Sequence, residues 1–327
     1  MTNETLELTS QWDKVFPQSD QVDHDKVTFH TRFGITLAAD LYKPKGASGV
    51  LPAIAVAGPF GAVKEQSSGL YAQTMAERGY LTIAFDPSFT GESGGTPRFM
   101  NSPDINIEDF QAAVDYLSVR EDVDAERIGV LGICGWGGMA LAAAAADPRI
   151  KATVASTMYD LSRVAANGYF DSADSAEARN QARAAVAAQR TADYRAGTYA
   201  MAGGVVDPLP SDAPFFVKDY YDYYKTPRGY HPRSLNSNDG WAVIGGSSLT
   251  NATLLGYIEE IESAVMILHG EQAHSYYMGK DAFARLTGDN KELVTIPDAV
   301  HTDLYDGGAK NAIPWDTIAE FFAANLA

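Results

Sequence analysis

The chain has 327 residues, 46% of them apolar, with 42 acidic against 25 basic side chains and a formal charge of −17 at pH 7; this suits one large α/β domain with an insertion, or two small domains. So acidic a chain argues against nucleic acid and anionic membrane as partners. A single cysteine excludes an internal disulfide, the polar start MTNETLELTSQWDKVFPQSD is unlike a signal peptide, and no run reaches the roughly 18 apolar residues of a membrane span, so a cytoplasmic protein is expected.

Residues 1–25 read as an N-terminal arm. KVTFHT (26–31) and ITLAADLY (35–42) flank Arg32-Phe33-Gly34 and predict a β-hairpin turning at Gly34. Continuous apolar runs follow: LPAIAVA (51–57), YLTIAFD (80–86), RIGVLGIC (127–134), IKATVAS (150–156), SAVMILHG (263–270) and ELVTIP (292–297). Such runs suit strands buried on both faces of a parallel sheet. Between them SSGLYAQTMAERG (67–79), INIEDFQAAVDYLSVR (105–120) and GGMALAAAAAD (137–147) carry helical spacing, and the last segment puts Ile318, Phe321, Phe322 and Leu326 on one face. Strands alternating with helices predict an α/β fold, a mostly parallel twisted sheet flanked by helices with right-handed crossovers. From Asp160 to Thr250 the rhythm breaks. A structureless loop of about 90 residues does not suit a compact domain. Residues 161–250 therefore read as a mostly helical cap inserted into a core of 26–160 and 251–327; an extra packing layer without a binding role is the alternative.

The third run ends at Cys134, and an alanine-rich helix follows. A sharp strand-to-helix turn with small residues on both sides lifts a nucleophile out of the sheet. Gly132 stands two residues before Cys134, Gly135 follows it, and Gly137 and Gly138 open the helix. Trp136 dissents, since a small residue is usual there. Either its side chain projects sideways and Gly137 and Gly138 make the close approach, or the turn is wider. The Gly135 amide can stabilise an oxyanion, and the helix dipole is expected to lower the thiol pKa. The alternative is a small buried cysteine.

A nucleophile on such a turn is followed in chain order by an acid and a histidine. His301, in IPDAVHTDLYD before the final helix, fits the general base. For the acid, Glu271 follows Gly270 in HGEQAHS, where Ala273 stands at the usual aspartate position; Asp160, one strand earlier, competes. The second oxyanion donor belongs in AVAGPFGAVKEQ (55–66). Pro59 has no N–H, so the donor is Phe60 or, second, Gly61. Lys64 either forms a buried ion pair or sits at the surface. FDPSFTGESGGTPR (85–98) lacks a phosphate-binding pattern and reads as a loop that crosses the sheet top and buttresses the site. No cluster has metal-ligand spacing, so neither metal nor cofactor is expected.

Seven stretches, VDHDKVTFHTRFGITLAADLY, GPFGAVKEQ, FDPSFTGESGG, ERIGVLGICGWGG, YKTPRGYHPRS, ILHGEQAHS and VHTDLYD, span about residues 20–307. In this order the chain resembles α/β-hydrolases of the dienelactone hydrolase-like group, in the branch with polyketide transferase-like hydrolases. The resemblance implies the α/β-hydrolase fold, a nucleophile at Cys134, a base at His301, an acid at Glu271 and an oxyanion loop at Pro59-Phe60-Gly61. Trp136 departs from the small residue frequent in relatives. Together these predict a cofactor-free hydrolase of an ester, thioester or lactone. It would act through an acyl-cysteine on a Cys134–His301–Glu271 triad, with the Phe60 and Gly135 amides holding the oxyanion. The partner is a small acyl substrate, in a pocket expected to include Trp136, Phe215, Tyr220, Tyr223 and Tyr224. The cap aromatics suit a cap core or a homodimer contact equally well. An acyltransferase passing the acyl group to an alcohol, and a catalytically idle binding protein on the same fold, are the competing functions.

Overall fold

Eight strands form one sheet in the computed structural model, which describes residues 4–327; residues 1–3 of the expected arm lie outside the described residues. They are β1 (Val22–His30), β2 (Thr36–Pro44), β3 (Leu51–Ala57), β4 (Leu81–Phe85), β5 (Val123–Ile133), β6 (Ile150–Ser156), β7 (Ala264–Gly270) and β8 (Lys291–Ile296), in the spatial order β1-β2-β4-β3-β5-β6-β7-β8. β1–β2 and β2–β4 pair antiparallel, and all other neighbours pair parallel. The hairpin turns at Gly34, which adopts φ +77°, but β1 begins at Val22 rather than Lys26. Each apolar run is a strand; the inner ones are buried on both faces, while β8, at the sheet edge, is only half-buried.

The helices are α1 (Ser67–Ala76), α2 (Pro103–Ser118), α3 (Gly135–Ala146), α4 (Leu161–Asn167), α5 (Ala176–Ala196), α6 (Phe215–Tyr224), α7 (Tyr276–Arg285), α8 (Asp303–Asp306) and α9 (Trp315–Asn325). α9 buries Ile318, Phe321 and Phe322 against the sheet. The Phe322 ring occupies the space a side chain at Gly129 would need: a Cβ there would lie 2.7 Å from Cε1. Between β6 and β7 lie α4, α5, α6, short 3-10 turns and irregular chain, with only two isolated bridges among the described residues. α5 is solvent-exposed along nearly its whole length, whereas α6 buries Tyr223 and Tyr224.

The mainly parallel topology brings the loops after β3, β5, β6, β7 and β8 to one edge of the sheet. A crevice outside the carboxyl ends of the strands is where open α/β sheets bind ligands. Phe60, Cys134, Thr157, Ser275 and His301 all lie on these loops.

Candidate active site

Cys134 is the residue between β5 and α3, and its backbone adopts φ +58°, ψ −124°. A non-glycine residue in that region is strained and persists only where its surroundings fix it. Here the Cys134 amide donates to Ser156 O at 2.9 Å, and its carbonyl accepts from the Gly137 and Tyr159 amides, each at 2.9 Å. The turn is tight: a Cβ on Gly132 would lie 2.0 Å from the Trp136 carbonyl oxygen, and one on Gly138 would lie 2.4 Å from the Tyr159 carbonyl. The close approach therefore runs through Trp136's backbone and through Gly138. Its indole projects away, edge-on to Phe85 and Phe110 at 5.8 and 5.4 Å between ring centres.

The Cys134 sulfur opens on a cavity of about 230 Å³. Phe60, Tyr220 and Tyr305 line the same cavity, and Gly135 packs against Phe60 beside it. The expected drop in thiol pKa is corrected. Burial raises it above the ordinary value, and hydrogen bonding toward Tyr305, the Gly135 and Phe60 amides and Tyr220 offsets that only in part.

The Phe60 loop is held from two sides. Asn236 Nδ2 donates to Phe60 O at 2.8 Å, Ser234 Oγ donates to Gly61 O at 3.0 Å, and the Phe60 ring stacks on Trp241 at 4.4 Å. Gly61 sits at φ +89°, and a Cβ on it would strike Asn236 Oδ1 at 2.4 Å, so the loop needs glycine here. Beneath it, Lys64 is the buried ion-pair member: Nζ lies 2.7 Å from Glu65, 2.7 Å from Asp86 and 2.6 Å from Glu92. Burial alone would discharge the ammonium, but the surrounding carboxylates hold its pKa well above the ordinary value. The three carboxylates converge as a cation site would. Lys64 Nζ lies among them, with Lys26 Nζ on Glu65 and Glu92 and the Arg233 guanidinium on Glu65 adding positive charge. Asp86 also accepts from the Lys64 and Glu92 amides, each at 2.8 Å, so the loop after β4 buttresses the oxyanion loop.

His301 lies fully buried before α8. Its Nε2 is 3.1 Å from the Tyr305 hydroxyl, and its Nδ1 is 2.9 Å from Thr157 Oγ1 and 2.7 Å from Ser275 Oγ. No hydrogen bond joins His301 directly to Cys134 among the described residues; the Tyr305 hydroxyl, bonded to His301 Nε2, lines the same cavity as Cys134. Burial, then His274 and His269, lower the His301 pKa well below the ordinary value, so the imidazole is neutral at pH 7.

The acid assignments are corrected. Glu271 is exposed, and its Oε2 accepts from the Asp298 amide at 3.3 Å, on the outside of the turn. Asp160 caps α4, accepting from the Arg163 amide at 3.0 Å and from Ser162 Oγ at 2.6 Å. Two hydroxyls take the place of a carboxylate at Nδ1. A carboxylate there would favour the imidazolium, whereas Thr157 and Ser275 orient the ring without adding charge.

The pocket assignment is corrected in part. Phe60, Tyr220 and Tyr224 line the cavity with Tyr159, Tyr169 and Tyr305. Trp136 is core. Tyr223 packs behind Tyr305 at 5.0 Å, under the Arg228 guanidinium, and Phe215 is 52% exposed on the outer side of α6. Sequence reasoning missed Tyr305, Thr157 and Ser275. For Tyr305 a signal existed: it stands four residues after His301, the spacing that brings side chains together over one helical turn. Thr157 and Ser275 carried none, because only the parallel pairing of β6 with β7 and β7 with β8 brings them to the ring.

The X-Pro dipeptidyl-peptidase family (S15) matches residues 34–270. The uncharacterised protein PA2218 of Pseudomonas aeruginosa is 54% identical over 327 residues, covering 99% of this chain and 87% of the relative. Its crystal structure matches with a TM-score of 0.95 over 99% of this chain and 100% of that one. The thiohydrolase aneE of Aspergillus aculeatus is 35% identical over 133 residues, 41% of each chain. The α/β-hydrolase GrgF of a Penicillium species, 19% identical, matches with a TM-score of 0.74 over 93% of this chain and 99% of that one, a likeness of fold.

Proposed function

The chain belongs to the X-Pro dipeptidyl-peptidase (S15) family and has the α/β-hydrolase fold, and from that premise we propose that it cleaves a small ester, thioester or lactone through an acyl intermediate on Cys134. One observation carries the reading. Cys134 is held in a strained turn beside Gly135 and Phe60 and opens on an aromatic cavity.

The resting site is neutral, with a thiol of raised pKa and an imidazole of lowered pKa. The nucleophile is therefore generated during attack rather than stored as an ion pair. As sulfur attacks the acyl carbon, the thiol proton passes to the Tyr305 oxygen and Tyr305's own proton to His301 Nε2. The carbonyl oxygen becomes an oxyanion held by the Phe60 and Gly135 amides. Collapse breaks the bond to the leaving alcohol or thiol, which takes the proton from His301. A water then gives up a proton along the same route, attacks the acyl-cysteine and releases the acid, and the proton returns to sulfur.

The cavity supports an uncharged acyl group. Its lining is aromatic, aliphatic, small or amide, and no lysine, arginine or carboxylate lines it among the described residues. It therefore offers no ion-pair partner to a peptide's amino terminus. The thiohydrolase match supports thioester cleavage, over 41% of the chain. The test is turnover of p-nitrophenyl esters, acyl thioesters and lactones, with and without added alcohol. Wild type is expected to release the acid and Cys134→Ala to be inactive. A new ester formed from the alcohol would make the activity acyl transfer. Wild-type rates in Cys134→Ala, or no turnover by wild type, would overturn the proposal.

A further inference from the structure

A second histidine stands behind the same sulfur. His274, at the start of the segment leading into α7, is buried, and its Nε2 lies 3.3 Å from the Tyr220 hydroxyl and 3.3 Å from that of Tyr159. Its ring is clamped against Phe216 at 4.6 Å between centres and lies 4.8 Å from the His301 ring. Tyr220, like Tyr305, lines the cavity with Cys134, and hydrogen bonding to each pulls the thiol pKa down from where burial puts it. The thiol is thus met by two phenols, each backed by its own imidazole.

The two imidazoles have opposite surroundings. His301 Nδ1 faces two hydroxyl oxygens, which can accept an Nδ1–H and leave the Nε2 lone pair for the Tyr305 hydroxyl proton. His274 Nδ1 faces no partner among the described residues. A proton placed there would be a buried orphan donor, which native structures rarely tolerate. The His274 proton therefore belongs on Nε2, aimed at the phenol oxygens, and Tyr220 keeps its own O–H to donate. One phenol accepts from the sulfur side and the other donates to it.

We propose that His274 is a positioning residue of this site, whose Nε2–H fixes Tyr220 as a hydrogen-bond donor to the Cys134 sulfur, opposite in sense to the acceptor that His301 makes of Tyr305. The inference rests on Cys134 as the nucleophile. No proton leaves His274; the thiol proton still travels through Tyr305 to His301. Tyr220 stabilises the thiolate as it forms, and again when the acyl-cysteine releases it. The sulfur's titratable neighbours are phenols (Tyr159, Tyr169, Tyr220, Tyr224, Tyr305) and the imidazoles of His274 and His301, with His269 behind them. Loss of one donor should therefore show in the thiol's own titration.

The test is the pH profile of iodoacetamide alkylation of Cys134 in wild type, Tyr220→Phe, His274→Leu, His274→Gln and the Tyr220→Phe/His274→Leu double variant, each checked for native circular dichroism. Tyr220→Phe and His274→Leu are each expected to move the midpoint upward and to slow alkylation at about pH 8 roughly threefold to tenfold, the worth of one neutral hydrogen bond. The double variant should match Tyr220→Phe. His274→Gln, which can present an N–H from a similar reach, should restore the wild-type profile. A midpoint unchanged or lowered in His274→Leu, or additive shifts in the double variant, would overturn the inference. Failure of the acyl-cysteine reading would appear separately, as wild-type protein that never carries an acyl group, and leaves this titration readable.

Discussion

Tyr305 is the residue on which proton transfer depends. Its hydroxyl lies 3.1 Å from His301 Nε2 and lines the same cavity as Cys134, so removing one oxygen takes away the group placed to pass the thiol proton to His301. Tyr305→Phe is expected to lower kcat for ester cleavage on the order of a hundredfold with little change in KM, the usual scale for a lost proton-transfer partner. Glu271→Gln is the control. Its carboxylate is exposed and bonded to the Asp298 amide, so steady-state rates should stay within about twofold of wild type, as for a surface substitution. A hundredfold loss in Glu271→Gln would mean that the carboxylate swings to His301 when substrate binds.

At the scale of elements, the β5–α3 turn was readable because its requirements are local. Gly132, Cys134 and the alanine-rich helix stand next to one another in sequence, and backbone crowding explains each glycine. Gly132→Ala places a Cβ 2.0 Å from a backbone oxygen that cannot move aside without shifting α3. It is expected to cost about 2–4 kcal/mol of stability in urea unfolding, the range for a named steric conflict. Sheet strands were legible for the same reason, as buried runs need no partner to be recognised. The groups at His301 Nδ1 were not legible, because they come from the ends of β6 and β7, far apart in sequence. Local pattern pointed to a carboxylate after Gly270, and the fold turned that carboxylate to solvent. α6 shows the intermediate case. Phe216, Tyr220 and Tyr224 repeat every four residues and face the site, while neighbouring Phe215 and Tyr223 fall on other faces, a distinction helical spacing contains but aromatic composition does not.

For the molecule as a whole, burying histidines behind the site carries a pH signature. Burial, then His274, lowers the His269 pKa to about 3, and burial lowers that of His274 to about 4, both from an ordinary 6.5. Each unfolded imidazole binds a proton that its folded counterpart refuses, so their contribution is fully present above pH 6.5 and is lost as pH falls toward those folded values. Asp109, lifted to about 7 by burial, acts in the opposite sense, so the histidine effect is read as a difference between parent and variant. His269 has no hydrogen-bond partner at either ring nitrogen among the described residues. His269→Leu is expected to gain stability relative to wild type by about 1.4 kcal/mol per pH unit between pH 6 and 4. Thermal unfolding followed against pH would show this as curves that diverge on acidification; parallel curves would mean that the ring is charged or solvated in the folded protein.

The most direct measurement is the mass of Cys134-containing peptide from protein quenched in acid within the first turnover of a p-nitrophenyl ester. The account predicts one acyl group on Cys134 in wild type, gained during the burst and lost as product forms, and none on that peptide in Cys134→Ala. An acyl group on another residue, or turnover in which Cys134 never carries one, would contradict it.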